Sequence, residues 1–203
     1  MPRILQLVPQ RKGAYRRAKG DDPGTEDTPQ LSLFAAGAAS NVLQLEDGLS
    51  PFDAALLRDR TGQADAREAY LTAIRDGDRV ADAFCNMGIL EAAAGAYDDA
   101  VEWFAKALSA APDHFEAHYN LGCLYLDIEQ FLPARVHLAV AAAQDPESAE
   151  LQFNLAVALA AVGQFAASAG ALRQFRKLSP DPDREESARK LLGELERALR
   201  ERA

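Results

Sequence analysis

The chain has 203 residues, of which 48% are hydrophobic, and its formal net charge is −9. This apolar content is ample for a packed core, and no run approaches the roughly 18 apolar residues that a membrane-spanning helix requires. Two cysteines are too few for a framework of disulfides and are typical of a reducing compartment.

The charge is unevenly distributed along the chain. Residues 1–20 hold six Lys or Arg and no Asp or Glu, whereas residues 21–175 hold 24 acidic and eight basic residues. An acidic body is a poor match for nucleic-acid phosphates and a good match for a basic partner.

Residues 1–30 are predicted to be a disordered arm, first basic and then acidic, because they offer too little apolar surface to offset the entropy of ordering. Apolar residues return in 31–50, which we expect to dock on or cap the first repeat, either as a short helix or as a loosely packed stretch. The apolar run at 4–8 is shorter than the roughly 7–15 residues of a signal peptide, and the acid-free start resembles a transit sequence only in part because serine is missing. We therefore expect a cytoplasmic protein.

A period of 34 residues organises 51–182. Shifting 115–148 by this period in either direction brings together residues of one kind: Asn86, Asn120 and Asn154; Gly88, Gly122 and Ala156; Ala100, Ala134 and Ser168; Phe104, Leu138 and Leu172; Pro112, Pro146 and Pro180. A fixed period of this length is typical of a solenoid of helix pairs. We predict four repeats: 51–80, 81–114, 115–148 and 149–182. The first repeat is the least regular, as is expected where one face meets no neighbouring repeat.

Each of the last three repeats is predicted to divide into two helices. The first helices are expected at about 81–94, 115–128 and 149–162, and the second at about 97–110, 131–144 and 165–178. Gly95 and Gly163 mark the turns inside two repeats, and a proline ends each second helix. The small residue at 88, 122 and 156 allows the two helices of a repeat to approach closely.

Residues 183–203 are predicted to form a C-terminal capping helix. Asp183 is the expected N-cap, with Glu186 three residues later in capping-box spacing. The apolar positions fall on one helical stripe, and Glu185–Arg189 and Glu186–Lys190 have the i,i+4 spacing of exposed ion pairs. Such a helix covers the last repeat and presents a polar outer face.

The repeat resembles the tetratricopeptide repeat, whose pattern is an aromatic residue, Leu-Gly, then Ala, a large apolar residue and Pro. Residues 84–112 match this pattern closely, 121–146 match it again, and 155–180 are a weaker copy. The resemblance implies an all-α, right-handed superhelical solenoid of antiparallel helix pairs. It also implies a concave groove lined by the first helices, and a protein-binding scaffold rather than an enzyme.

The family's groove positions give the candidate peptide-binding residues. They are Asp82, Asn86, Ile89, Glu116, Tyr119, Asn120, Cys123, Asp127, Glu150, Phe153, Asn154 and Val157. A row of asparagine amides can bond to the backbone of an extended peptide; alternatively, these amides bond to neighbouring helices. The row of acids either contacts a ligand or only favours helix N-termini through the helix dipole.

Two further features of the groove concern its charge and its aromatic residues. The resemblance implies that binding an acidic chaperone tail needs Lys or Arg in the groove, and the matching positions here are acidic or asparagine, so we predict against such a ligand. Tyr119 and Phe153 lie one repeat apart and either form pockets for ligand side chains or pack against adjacent helices.

The remaining histidine and cysteine residues do not indicate a catalytic or metal-binding site. His114 and His118 have i,i+4 spacing with Cys123 nearby, but His118 occupies a packing position of the family, so we expect no metal. Cys85 and Cys123 are expected to be buried thiols rather than a redox pair. We find no catalytic residues and no cofactor motif, and predict that the protein is not an enzyme.

The sequence thus predicts a protein–protein interaction scaffold that binds an extended, basic or neutral peptide in an acidic concave groove. Residues 1–20 are one candidate ligand, bound within one molecule or between two. The alternative is a regulatory adaptor whose basic arm contacts nucleic acid or an anionic surface while the repeats recruit a partner protein.

Overall fold

The computed structural model describes residues 48–178 and 182–201. The predicted arm and nearly all of the predicted docking segment (31–50) lie outside the described residues. The described part contains nine α-helices and no strand: α1 Pro51–Arg60, α2 Ala66–Asp76, α3 Val80–Ala93, α4 Tyr97–Ala110, α5 Phe115–Asp127, α6 Phe131–Gln144, α7 Ala149–Ala161, α8 Phe165–Leu178 and α9 Pro182–Arg200. None of these helices is long and apolar enough to cross a membrane.

The helices pack as consecutive pairs. α1 packs on α2, α3 on α4, α5 on α6 and α7 on α8, and the second helix of each pair also contacts the first helix of the next. The first helices touch one another as well, α3 with α5 and α5 with α7, so they form a continuous wall along the array. This arrangement confirms the predicted all-α helical-repeat solenoid, and the helix boundaries agree with the predicted ones to within a residue or two.

The turns between paired helices use a left-handed residue to end the first helix. Gly95 and Gly163 have φ of 79°, and the equivalent position of the middle repeat is Glu129 with φ of 59°. Only glycine adopts this conformation without strain from its own side chain. In the first repeat the left-handed residue is Gly62, one position later than the period predicts.

A glycine in two of the first helices brings the paired helix close. A Cβ added at Gly88 would lie 2.7 Å from a ring carbon of Phe104, and one added at Gly122 would lie 2.6 Å from Leu138. The large side chain of the second helix therefore occupies the space that a side chain on the first helix would need. This contact explains why a small residue recurs every 34 residues.

α9 packs on α8 as the predicted capping helix. Ala188, Leu191 and Leu195 are buried in the same cluster as Phe175. Glu186 pairs with Lys190 as predicted, whereas Glu185, predicted to pair with Arg189, accepts a hydrogen bond from Arg176 of α8.

The predicted N-cap of α9 was wrong. The helix begins at Pro182, so Asp183 lies in its first turn rather than at the N-cap. Proline is favoured in the first position of a helix because its missing N–H has no partner there and its φ is already helical.

Candidate peptide-binding surface

The wall of first helices carries one carboxylate in the first turn of each helix. Asp82, Glu116 and Glu150 begin α3, α5 and α7, where the helix dipole favours a negative charge. Each of the three is partly exposed; for Asp82 and Glu116 the exposed fraction of the side chain is 24% and 26%. The row therefore presents negative charge along one edge of the wall, at intervals of one repeat.

Asp82 is held by the side chains of the residues that precede α3 and α5. The Nε2 of His114 lies 2.9 Å from one carboxylate oxygen, and the Nε of Arg79 lies 2.9 Å from the other. The Nδ1 of His114 accepts a hydrogen bond from the backbone N–H of Ala117 and so caps α5. A neutral imidazole that accepts at Nδ1 carries its proton on Nε2, which therefore donates to Asp82.

These contacts fix the charge of Asp82. Burial by itself raises the pKa of this carboxyl, but the hydrogen bonds from His114 and Arg79 outweigh burial, so the pKa lies below its ordinary value. Asp82 consequently stays ionised at neutral pH.

The three asparagines of the predicted ladder are buried. Asn86 and Asn120 have no exposed surface, and Asn154 is 1% exposed. The amide nitrogen of Asn120 donates to the Sγ of Cys85 at 3.6 Å, and that of Asn154 donates to the Sγ of Cys123 at 3.3 Å. These amide nitrogens thus make the contact with a neighbouring helix that was the alternative to contact with a peptide.

Asn86 follows the same rule with a different acceptor. Its Nδ2 donates to the phenolic oxygen of Tyr70 at 3.1 Å, and that hydroxyl in turn donates to a carboxylate oxygen of Asp59. Each of the three asparagines therefore ties its first helix to the preceding repeat.

The remaining groove positions form a mostly covered apolar surface. Ile89, Phe153 and Val157 are each 5% exposed, Cys123 is 6% exposed, and Tyr119 is fully buried. The ring of Phe153 packs on Phe175, and that of Tyr119 stacks on Phe115. Both aromatic rings therefore make the packing contacts that were the alternative to ligand pockets. Asp127, the last residue of α5, is partly exposed.

The histidines and cysteines are all engaged in contacts within the fold. His118 Nε2 lies 3.0 Å from the carbonyl oxygen of Pro112, while His114 binds Asp82, so the two rings are used separately. The described residues include no group of His, Cys, Asp and Glu that could hold a metal ion. Cys85 and Cys123 are buried free thiols, and burial raises the pKa of Cys85 above its ordinary range.

Two features escaped the sequence reasoning. The Nδ1 atoms of His118 and His137 lie 3.0 Å apart, which joins α5 to α6, and the link of His114 to Asp82 joins the start of α5 to the start of α3. The link between His114 and Asp82 had a partial signal in the sequence, because the two residues lie at opposite ends of one repeat. The contact between His118 and His137 had no signal in the sequence, since a spacing of 19 residues corresponds to no local structure.

Comparison with known proteins supports the architecture. The tetratricopeptide repeat model matches residues 52–115 and 119–183, which is more than half of the chain. No curated protein sequence matches the chain.

Among solved structures, YrrB, a TPR protein with an unusual peptide-binding site, is similar with a TM-score of 0.67 and 20% identity, covering 82% of this chain and 85% of YrrB. MamA from Desulfovibrio magneticus RS-1 is similar with a TM-score of 0.59 and 24% identity, covering 73% and 94% of the two chains. The first TPR of Spaghetti (RPAP3), bound to the HSP90 peptide SRMEEVD, has a TM-score of 0.52 and 19% identity over 59% of this chain and 92% of that one. The repeats, their helix pairs and the family model agree, and the chain belongs to the tetratricopeptide repeat family.

Proposed function

We propose that this protein is an interaction scaffold that binds an extended, basic or neutral peptide along the wall of first helices. Repeats of this family generally serve as non-catalytic scaffolds, and two structural neighbours, YrrB and the RPAP3 repeat, are described by a peptide-binding site or a bound peptide. The fold thus provides the binding surface, and the side chains on the wall of first helices determine which ligand it binds.

The observation that carries the proposal is the row of partly exposed carboxylates Asp82, Glu116 and Glu150. They recur at the same place in three consecutive repeats, so their charges add along one edge of the wall. A ligand with Lys or Arg side chains at matching intervals would gain most from Glu116 and Glu150, because Asp82 is already paired with Arg79, and long-range attraction would speed its association.

The asparagines have a supporting role in this proposal. Because Asn120 and Asn154 are buried and donate to sulfur atoms of the preceding repeat, they fix the position of α5 and α7 relative to their neighbours. The carboxylate row depends on that spacing, since each of these helices carries one acid of the row in its first turn.

The charge of this surface indicates a different ligand from that of the RPAP3 repeat. The peptide SRMEEVD bound there is acidic. The corresponding edge of this protein carries Asp82, Glu116 and Glu150, which would repel such a peptide. We therefore expect a ligand of the opposite charge.

Residues 1–20 are the ligand that we favour. They hold six basic and no acidic residues, together with the apolar run at 4–8. They are also tethered to the repeats, which gives them a high effective concentration in the same molecule. An outside peptide would then have to displace them.

The test is a titration with a labelled synthetic peptide of residues 1–20. The double variant Glu116→Gln with Glu150→Gln should raise the dissociation constant about tenfold, because each removed charge contributes about 0.5–1 kcal/mol at a partly exposed site. The control is Asp98→Asn with Glu102→Gln, which makes the same change in net charge on the exposed face of α4. If the control weakens binding as much as the groove variant does, attraction is unspecific and the carboxylate row is not the site.

Deletion of residues 1–20 tests whether the arm occupies the groove of its own molecule. The shortened chain should bind the same peptide several-fold more tightly, because the tethered competitor is gone. Equal affinity of the full and shortened chains would contradict docking of the arm while leaving a peptide-binding groove intact.

A further inference from the structure

The solvent face of α6 is apolar, which distinguishes it from the other second helices. Leu132 is 65% exposed, Val136 48% and Val140 37%, and Ala139 and Ala143 are exposed on the same face. Monomeric proteins rarely expose large side chains contiguously unless the patch meets a partner.

The helix one repeat earlier shows what an ordinary outer face looks like in this fold. At the positions of Leu132, Val136 and Val140, α4 carries Asp98, Glu102 and Lys106. All three are exposed, so the fold accepts charged side chains at these places. The apolar residues of α6 are therefore not required by packing within the repeat.

The exposed residues of α6 also have a regular spacing. Leu132, Val136, Ala139 and Ala143 are separated by four, three and four residues. This is the heptad spacing with which one helix packs along another in a coiled coil. These four residues form a seam on the side of α6 opposite Ala134, Leu138 and Ala141, three of its four buried residues.

We propose that the protein self-associates through this seam, α6 of one molecule packing antiparallel on α6 of a second copy. In an antiparallel pair related by a twofold axis, Leu132 faces Ala143 of the other copy and Val136 faces its Ala139. Every layer then combines one large and one small side chain, so a single surface is complementary to itself, as a twofold contact requires. The seam is thus complementary to the same seam on a second copy of this chain, which is the occupant that we propose.

Charge favours the same occupant. The molecule has a net charge of −9, so two copies repel one another across most approaches, but α6 contains neither Asp nor Glu. The uncharged face of α6 lets two acidic molecules meet with little loss of hydration.

The apolar surface continues beside the seam. An open cavity of about 540 Å³ lies next to Leu132, lined by Phe131, Pro133, Ala161 and Val162 as well as Gln130. It extends the contact toward the end of α7. Because few side chains form the contact, we expect it to bury less than the roughly 800 Å² per partner of a standard stable interface, and therefore to give a weak dimer that dissociates on dilution.

Sedimentation equilibrium of the full chain over a wide range of concentration tests the proposal. The intact protein should show a monomer–dimer equilibrium. The double variant Leu132→Asp with Val136→Glu gives α6 the side-chain types that α4 carries, so it should fold normally, and it should raise the dissociation constant about a hundredfold by placing like charges in the contact. Ala105→Glu, which adds a charge on the exposed face of α4, should leave the equilibrium unchanged. A chain that stays monomeric, or a dimer that the double variant does not weaken, overturns the proposal.

Engineered cysteines test the register and the occupant. Val136→Cys with Ala139→Cys should form disulfides between two copies under oxidising conditions, whereas Leu132→Cys with Ala139→Cys should not, because those positions do not face each other in the antiparallel pair. The single variant Val136→Cys should react rapidly with a maleimide in dilute solution and more slowly as concentration rises. Protection that does not depend on concentration would mean that a segment of the same chain covers the seam, and the proposal would fall.

Discussion

Tyr70 shows how a single residue adapts a repeat to its neighbour. The following two repeats have a cysteine, Cys85 or Cys123, at different places to accept the amide N–H of the next asparagine, whereas the matching places of the first repeat hold Pro51 and Ala55. The hydroxyl of Tyr70 takes over as acceptor for Asn86. The later repeats carry Phe104 and Leu138 at the position of Tyr70, where no hydroxyl is needed.

The two glycines of the first helices give a sharp test of close helix packing. Gly122→Ala should lower the free energy of unfolding by about 1–3 kcal/mol, because the new Cβ would lie 2.6 Å from Cγ of Leu138 and near its backbone nitrogen. Chemical denaturation measures the change.

The matched control is Gly170→Ala on α8. No atom lies within 4 Å of the Cβ that this change adds, so the better helix propensity of alanine should raise stability by about 0.5–1 kcal/mol. Opposite signs for the two variants are expected; equal effects would mean that the contact with Leu138 is not restrictive.

At the scale of the helices, the contact between α5 and α6 contains a pair of histidines. His118 donates through Nε2 to the carbonyl of Pro112, so its Nδ1 is an acceptor, and the Nδ1–H of His137 donates to it. The ring of Tyr125 stacks on His137. The pair is therefore built for neutral rings.

The protonation of His137 should make stability depend on pH. Burial lowers the pKa of His137, and the like charge of His118 lowers it further, below the ordinary value of 6.5. The unfolded chain then binds a proton before the folded one does, so the stabilisation present above pH 6.5 is lost as the pH falls through the folded pKa.

His137→Asn keeps a donor at the same place but cannot titrate. The free energy of unfolding of the unchanged protein should fall more steeply between pH 7.5 and pH 5.5 than that of the variant, as urea titrations at each pH would measure. Identical slopes would show that this pair does not control the acid sensitivity.

At the scale of the whole molecule, the array needs a cover at its C-terminal end. α9 supplies it, because Leu191 and Leu195 continue the buried cluster of Leu172 and Phe175, while Arg173 and Arg176 of α8 pair with Glu196 and Glu185 of α9. Exposed ion pairs of this kind contribute little, so the apolar contacts hold the cap in place.

Leu195→Ala should therefore destabilise the protein by about 2–5 kcal/mol, since it leaves a cavity at a fully buried position. Glu196→Ala, which removes only the exposed pair with Arg173, should cost less than about 1 kcal/mol. Thermal unfolding followed by circular dichroism distinguishes the two. A comparable loss for both changes would mean that the ion pairs, and not the buried leucines, hold α9.

The sequence by itself determined the helix pairs and their order. The period and the terminating prolines are local signals found in three repeats, and the turn glycine is found in two of them, so a deviation in one copy is corrected by the others. The same signals placed Asp82, Glu116 and Glu150 in the first turns of α3, α5 and α7, where the structure has them.

Only the tertiary structure decided which of the repeating polar residues stay accessible. Asn86, Asn120 and Asn154 recur as regularly as the acids, but their exposure depends on how closely neighbouring first helices approach, and a period along the chain carries no information on that distance. The same limit hid the pairing of His118 with His137 and the apolar outer seam of α6. Contacts between helices are set by packing in three dimensions, whereas the 34-residue period records only the path of the backbone.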